Sequence, residues 1–369
     1  MAAAHPLADR AARAAVRLVA VLPRPLTRAL AGPLAEIDGQ RVHPEVALAL
    51  RALNAGGPTF ETKPLEQGRA ELAAEAWIFG SRPACDEVRD IAIPSEDGHE
   101  IGARLFRADR DREPEGLLVY FHGGGFVLGG HESCEAMCRA LARRTGLVVV
   151  SIDYRLAPEH PYPAAVRDGV EAFRWLRDRL PELGVRTGRI AVAGESAGGN
   201  LAAVVSLATA LDPEGGPGFQ CPIFPVADWA RRSRSYELFG EGWFLTAAQM
   251  DWYRERYLRP EQLEDPLASP LYAPLEQLAR VAPACVVTAG FDPLRDEGRA
   301  YAQRLADAGV AVRHLEFRGF IHAFVNATGL GRSVTRRIDR IGDVILEGMR
   351  DGAGSPARPE RRGPRAAGR

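Results

Sequence analysis

The sequence predicts an α/β chain built on a mostly parallel, eight-stranded sheet flanked by helices. Three observations carry that expectation. Short apolar runs alternate with amphipathic helical stretches, a Gly-x-Ser-x-Gly pattern sits between one such run and a helix-prone segment, and three consecutive glycines directly follow another. Continuously apolar strands are buried on both faces, which calls for helices above and below the sheet and hence for parallel connections.

Taken in order, residues 1–85 read as an N-terminal helical cap segment broken at Pro23, Pro25, Pro33, Pro44 and Pro58, because proline lacks the N–H that a helix interior uses. Segments 88–93 and 101–106 alternate in polarity across Glu96-Asp97-Gly98, as an antiparallel hairpin does. The apolar runs 117–121, 147–152, 190–193, 221–224, 285–289 and 310–317 follow, most of them separated by helical stretches such as 164–180. The interval from 228 to about 273 breaks this rhythm. It sets Trp229, Tyr236, Phe239, Trp243, Phe244, Trp252 and Tyr253 among Pro and Gly, and is too long and aromatic for a plain connection. It is read as a cap insertion in a catalytic domain of residues 86–350. Residues 351–369 hold Gly, Pro, Ala and Arg with no apolar period, so a disordered tail is expected.

Composition excludes several classes of partner. A formal net charge of -1 with dispersed Arg, Asp and Glu leaves no basic stripe for nucleic acid. Cys85, Cys134, Cys138, Cys221 and Cys285 are odd in number and sit in apolar or helical surroundings, which fits reduced thiols and a cytoplasmic location. His131, Cys134 and Cys138 share a helix face, yet no second zinc-type pair accompanies them, so no metal is expected. Between residues 7 and 34, Arg10, Arg13, Arg17, Arg24 and Arg28 interrupt every apolar stretch before it could span a bilayer, and no small-residue cleavage site follows. An amphipathic cap helix without stable membrane insertion is the reading, preferred over association with a membrane surface.

Chemistry gathers at the ends of the apolar runs. Gly194-Glu195-Ser196-Ala197-Gly198 lies between the run 189–193 and the helical segment 200–205, the strand-turn-helix context of a nucleophile elbow. Such a tight turn leaves no room for side chains beside the nucleophile, which makes Ser196 the candidate. His122-Gly123-Gly124-Gly125-Phe126 follows the run 117–121, where unobstructed backbone N–H groups can face a developing oxyanion. Gly124 and Gly125, with Gly123 beside them, are the candidate donors together with Ala197. A serine hydroxyl needs an imidazole base, and the base needs a carboxylate to fix its tautomer. In the order serine, acid, base, Asp292 follows the run 285–289 and His322 follows the run 310–317. Asp296 and Glu297 read instead as first-turn acids of the next helix, while His314 lies within a strand and His131 and His160 read as structural.

Together, His122-Gly123-Gly124-Gly125, Tyr154-Arg155-Leu156-Ala157-Pro158-Glu159, Gly194-Glu195-Ser196-Ala197-Gly198-Gly199 and Asp292-Pro293-Leu294-Arg295-Asp296-Glu297 resemble the hormone-sensitive-lipase-like, or bacterial type IV, carboxylesterases. The resemblance runs from about residue 88 to 349. It implies an α/β-hydrolase fold, a two-part helical cap from the N-terminus and the aromatic insertion, and hydrolysis of short- to medium-chain acyl esters by the triad Ser196, Asp292 and His322. Neither metal nor organic cofactor is needed for that chemistry. Glu195 stands where many members have Asp or Thr, and Ala323 where Gly often follows the base. Glu195 is expected to be held by the segment of Arg155 or Tyr154, bracing the elbow. Phe126, Val127, Trp243, Phe244, Ile321 and Phe324 are the candidate walls of the substrate pocket. An amidase, N-acetyl hydrolase or formamidase would use the same triad. Resembling esterases also form homodimers through the outer sheet edge or last helix, which leaves the oligomeric state open.

Overall fold

The computed structural model describes residues 5–54 and 59–352, so Pro58 and nearly all of the expected tail lie outside the described residues. Asp351 and Gly352, where that tail was expected to open, still belong to the last helix. The eight expected runs form the strands β1 (Glu87–Pro94), β2 (Glu100–Arg107), β3 (Leu117–Phe121), β4 (Val148–Asp153), β5 (Ile190–Glu195), β6 (Phe219–Ile223), β7 (Ala284–Phe291) and β8 (Val312–Ile321). They make one sheet in the order β8-β7-β6-β5-β3-β4-β2-β1. The pairs β1–β2 and β2–β4 are antiparallel, and the other neighbours run parallel.

Side chains alternate across this sheet and divide the core into two layers. Leu117, Val119 and Phe121 of β3 join Val166, Val170 and Phe173 of helix α6 (Ala164–Arg177) and Leu201, Val204 and Val205 of α7 (Ala197–Ala208). Leu118 and Tyr120 point to the other layer, with Met137 and Leu141 of α5 (His131–Thr145) and Val334, Ile338, Ile341 and Ile345 of the last helix, α10 (Arg332–Gly352). Every residue of β3, β5 and β7 is buried, which is why their sequences are apolar throughout but for Glu195 and Thr288. Strand β3 lies between β5 and β4, where the winding of the sheet reverses. The loops after β3 and β5 therefore emerge side by side at the carboxyl edge, where α/β sheets bind ligands.

The N-terminal region holds α1 (Leu7–Val21), α2 (Arg24–Ala31), α3 (Pro44–Asn54) and α4 (Leu65–Phe79). Pro44 opens α3 rather than breaking a helix, since the first helical position has no use for the missing N–H. A hairpin of Glu36–Ile37 and Gln40–Arg41 was not foreseen; it is tied down by Gln40 Nε2 donating to Gly290 O at 2.9 Å and His43 N donating to Gly319 O at 2.9 Å. Between β6 and β7 the aromatic interval forms α8 (Arg234–Phe239) and α9 (Ala247–Tyr257). Helix α9 starts with a reciprocal cap, Gln249 N to Thr246 Oγ1 and Thr246 N to Gln249 Oε1, both 3.1 Å. The two regions meet through Phe60, whose ring lies 5.4 Å from those of Trp252 and Tyr253. They also meet through Gln249 Nε2, which donates to Glu61 Oε2 at 3.2 Å. No helix among the described residues is long and apolar enough to cross a membrane. No group of three or more metal-ligating side chains gathers among them either.

Candidate active site

Strand β5 ends at Glu195 and α7 begins at Ala197, leaving Ser196 as the single residue of the turn, at φ 59° and ψ −118°. A non-glycine residue in that region stores strain of about 1–3 kcal/mol. The surroundings hold it there: Ser196 N donates to Ile223 O at 2.9 Å, and Ser196 O accepts from Asn200 N at 3.0 Å. Both elbow glycines are forced by close approach, since a Cβ on Gly194 would run into the carbonyl oxygens of Gly198 and Phe121, and one on Gly198 into that of Phe121.

Asp292 and His322 are each the first residue beyond a strand, as β7 extends to Phe291 and β8 to Ile321. Both strands run farther than their apolar runs suggested. In β8 the register shifts between Phe317 and Ile321, around Gly319 at φ +80°, so the strand resumes its pairing just before the histidine. His322 Nδ1 lies 2.8 Å from Asp292 Oδ2, and His322 Nε2 lies 2.9 Å from Ser196 Oγ. The other carboxylate oxygen of Asp292 accepts Leu294 N at 2.9 Å, which fixes its orientation. Asp292 is wholly buried, His322 nearly so, and Ser196 is the most accessible of the three at 9%.

The competing groups are occupied elsewhere. Asp296 accepts from Ser235 N at 3.0 Å and from Arg295 Nε at 2.8 Å. Glu297 does more than favour a helix dipole. It is buried and accepts Ala227 N at 2.8 Å, anchoring the start of the insertion, and burial pushes its carboxyl well above the usual range. His314 pairs with Thr288 Oγ1 and His131 with Ser151 Oγ, each at 2.9 Å.

Among the described residues, the N–H groups of Gly124, Gly125 and Ala197 donate to no protein acceptor. That of Gly123 donates to Glu195 Oε1 at 2.9 Å. The N–H of Gly123 is thus engaged by the elbow's own carboxyl, unlike those of the other three candidates. Gly125 sits at φ +61°, and a Cβ there would enter the ring of Tyr253. Gly125→Ala keeps the N–H, but its Cβ would push the loop away from Tyr253 and displace that candidate donor, so kcat is expected to fall, by at most the about 10²–10³-fold that loss of a whole oxyanion donor costs. Gly309→Ala, which meets the same backbone penalty at φ +80° but nothing within 4 Å, should leave nitrophenyl ester turnover unchanged.

Glu195 is not held by Arg155 or Tyr154 as expected. Arg155 is committed to Asp168 at 2.7 Å and Asp97 at 3.0 Å, and the Tyr154 hydroxyl donates to His122 O at 2.7 Å, bracing the glycine loop instead. Glu195 takes Gly123 N and Asn326 Nδ2, the latter at 3.3 Å, so one carboxyl joins the elbow, the glycine loop and the turn after His322. Burial raises its pKa above the ordinary 4.5, opposed by the hydrogen bonds from Gly123 and Asn326. Between the ordinary and raised values the unfolded chain has lost a proton that the folded chain keeps, so this group lowers stability as pH rises through that window. Glu195→Gln is expected to remove that slope while keeping an acceptor for Gly123. Glu195→Ala, which strands a buried N–H, is expected to cost about 1–3 kcal/mol and to lower kcat. Urea unfolding across pH 4–8 with parallel kinetics checks both.

The six candidate pocket residues come from two packing layers. Phe126 and Val127 have no exposed surface, and Phe126 stacks on Tyr257 at 3.9 Å, which anchors the glycine loop beneath α9. Trp243, Phe244, Ile321 and Phe324 belong to the opposite layer. There Trp243 lies 4.6 Å from Phe291, and Phe324 lies 5.8 Å from Phe224, whose ring is 4.7 Å from His322. Sequence reasoning missed Arg69 of α4, whose Nε donates to Val127 O at 3.0 Å and whose guanidinium pairs with Glu159 at 2.8 Å. A lone arginine in a helix of the distant N-terminal region carries no signal of such a contact. Tyr154 was visible only as part of a motif.

Residues 118–326 match the family described as alpha/beta hydrolase fold. The chain is similar to the carboxylic ester hydrolase LipN of Mycobacterium tuberculosis, 40% identical over 328 residues covering 86% of each chain. It is also similar to an arylesterase of Saccharolobus solfataricus, 40% identical over 278 residues, 75% of this chain and 88% of that one. Among solved structures, an ester hydrolase from the metagenome of Lake Arreo, in complex with a bipyridine phosphonate derivative, superimposes with a TM-score of 0.79. It is 39% identical, covering 84% of this chain and 99% of that one.

Proposed function

The chain belongs to the hormone-sensitive-lipase-like carboxylesterases of the α/β-hydrolase superfamily and is an ester hydrolase; on that premise we propose that it cleaves short- to medium-chain acyl esters through an acyl-enzyme on Ser196. The relay from Asp292 Oδ2 through His322 to Ser196 Oγ, with steps of 2.8 and 2.9 Å, is the observation that carries the reading. His322 Nε2 takes the hydroxyl proton as Oγ attacks the ester carbonyl, and Asp292 stabilises the imidazolium. The tetrahedral oxyanion is received by the N–H groups of Gly124, Gly125 and Ala197, which lie at adjacent strand ends. Collapse breaks the bond to the alcohol, which leaves with the proton from His322. Water then gives its proton to the same imidazole and attacks the acyl-enzyme, releasing the acid and restoring Ser196. A reducing cytoplasmic setting is supported by five free cysteines.

Two parts of the cap support a small pocket. Tyr253 and Tyr257 from the insertion pack on the glycine loop, and Arg69 from the N-terminal region ties down its end at Val127. A series of nitrophenyl esters from acetate to palmitate tests the reading, with turnover expected to peak at short or medium chains. The anilide of the preferred acid is expected to be cleaved far more slowly. Preference for the anilide would replace the esterase reading with an amidase using the same triad.

A further inference from the structure

Helix α1 is mounted with its apolar face outward. Leu7, Ala11, Ala14 and Leu18 recur at i, i+4, i+7 and i+11 with Val21 a turn beyond, and all are exposed. Leu7, Leu18 and Val21 keep 81%, 65% and 77% of their surface in solvent. What faces the protein is Arg13 and Arg17 with Val16 between them, the valine packed against the core. The Arg13 guanidinium lies 4.4 Å over the Trp77 ring of α4 and donates to the Trp77 carbonyl, and Arg17 Nη2 donates to Gly80 O. Helix α2 also exposes Leu26 and Leu30, and on another side of the helix Arg24 and Arg28. Five of the eight large apolar side chains exposed among the described residues thus lie on two consecutive helices.

Charge decides what such a face receives. Residues 7–31 carry Arg10, Arg13, Arg17, Arg24 and Arg28 against the single acid Asp9. Among the described residues, the first arginine along the chain with a carboxylate partner is Arg41, paired with Glu36. A second copy would bring the same excess of positive charge against itself, whereas an anionic lipid surface offers phosphates to the arginines and an acyl boundary to the leucines.

We propose that α1 and α2 form an interfacial docking face for an anionic lipid surface, on which the protein rests without spanning it. This inference stands apart from the ester chemistry. Its geometric consequence is that Trp77 and Arg69 lie on the same helix, so the docked face is linked through α4 to the loop that carries Gly124 and Gly125.

Co-sedimentation of the full chain with vesicles of phosphatidylcholine alone and of phosphatidylcholine with an equal part of phosphatidylglycerol tests it. Binding is expected to be about tenfold stronger to the anionic vesicles and to fall steeply between low and high salt. Leu18→Asp with Val21→Asp, and separately Arg10→Glu with Arg24→Glu and Arg28→Glu, should each remove that binding while hydrolysis of a water-soluble nitrophenyl ester stays unchanged. Equal binding to both vesicles, no binding to either, or binding that survives both sets of substitutions overturns the proposal. So does light scattering that shows a dimer dissolved by Leu18→Asp, which would assign the face to a second copy. Should a variant fail to fold, the salt and lipid dependence of the unmodified chain still decides.

Discussion

Ser196→Ala is expected to lower kcat on a nitrophenyl ester by about a million-fold and to leave the folded protein as stable as before. The stability half of this follows from the elbow. The substitution keeps a Cβ at φ 59°, so the backbone strain and the hydrogen bonds of Ser196 N and O to Ile223 and Asn200 persist. Only the contact of Oγ with His322 Nε2 is lost, at a position that is already 9% exposed. The catalytic half follows because nothing else at the strand ends can form the acyl bond. Residual turnover would come from the N–H groups of Gly124, Gly125 and Ala197 acting on a water-attacked carbonyl, and removing His322 as well should cost little more. A phosphonate that labels the parent chain should fail to label this variant, as read by intact mass. Labelling that persists would place the nucleophile elsewhere.

Much of this was legible in the sequence because burial on both faces writes itself as continuous apolar runs. Strands β3, β5 and β7 are of that kind, and the chemistry sits on the residues immediately following such strands. Strand ends were read less well. The polar residues of β8 and its register shift at Gly319 hid the last four residues of the strand, although His322 could still be found beyond it. The hairpin at Glu36–Arg41 left no trace, since two-residue strands have no period and owe their place to contacts with Gly290 and the segment of Gly319. The same limit explains Glu195. Its partners Gly123 and Asn326 lie 72 and 131 residues away, and only the fold shows that Gly123 gives its N–H to Glu195. The outward-facing leucines of α1 are the opposite case, because periodicity shows that an apolar face exists but not which way it is turned.

Asp292→Asn is expected to lower kcat by about 10⁴-fold with the fold intact, and the reason lies in which proton each atom can hold. The buried Asp292 carboxylate accepts from two donors, Leu294 N on Oδ1 and the imidazole on Oδ2 at 2.8 Å. An asparagine keeps the first contact through its carbonyl oxygen, so the loop geometry survives. It then presents an NH₂ group to His322 Nδ1, which must accept rather than donate. The proton of the neutral ring is forced onto Nε2, the atom that has to receive the Ser196 proton at 2.9 Å. The base is present, correctly placed and in the wrong tautomer. Asp296→Asn should have a far smaller effect, because that carboxylate serves Ser235 N and Arg295 rather than the imidazole. Pre-steady-state kinetics with excess nitrophenyl ester separates the cases: loss of rapid acylation in Asp292→Asn and its retention in Asp296→Asn is the expected result. The reverse pattern would move the acid one helical turn along the chain and break the proposed relay.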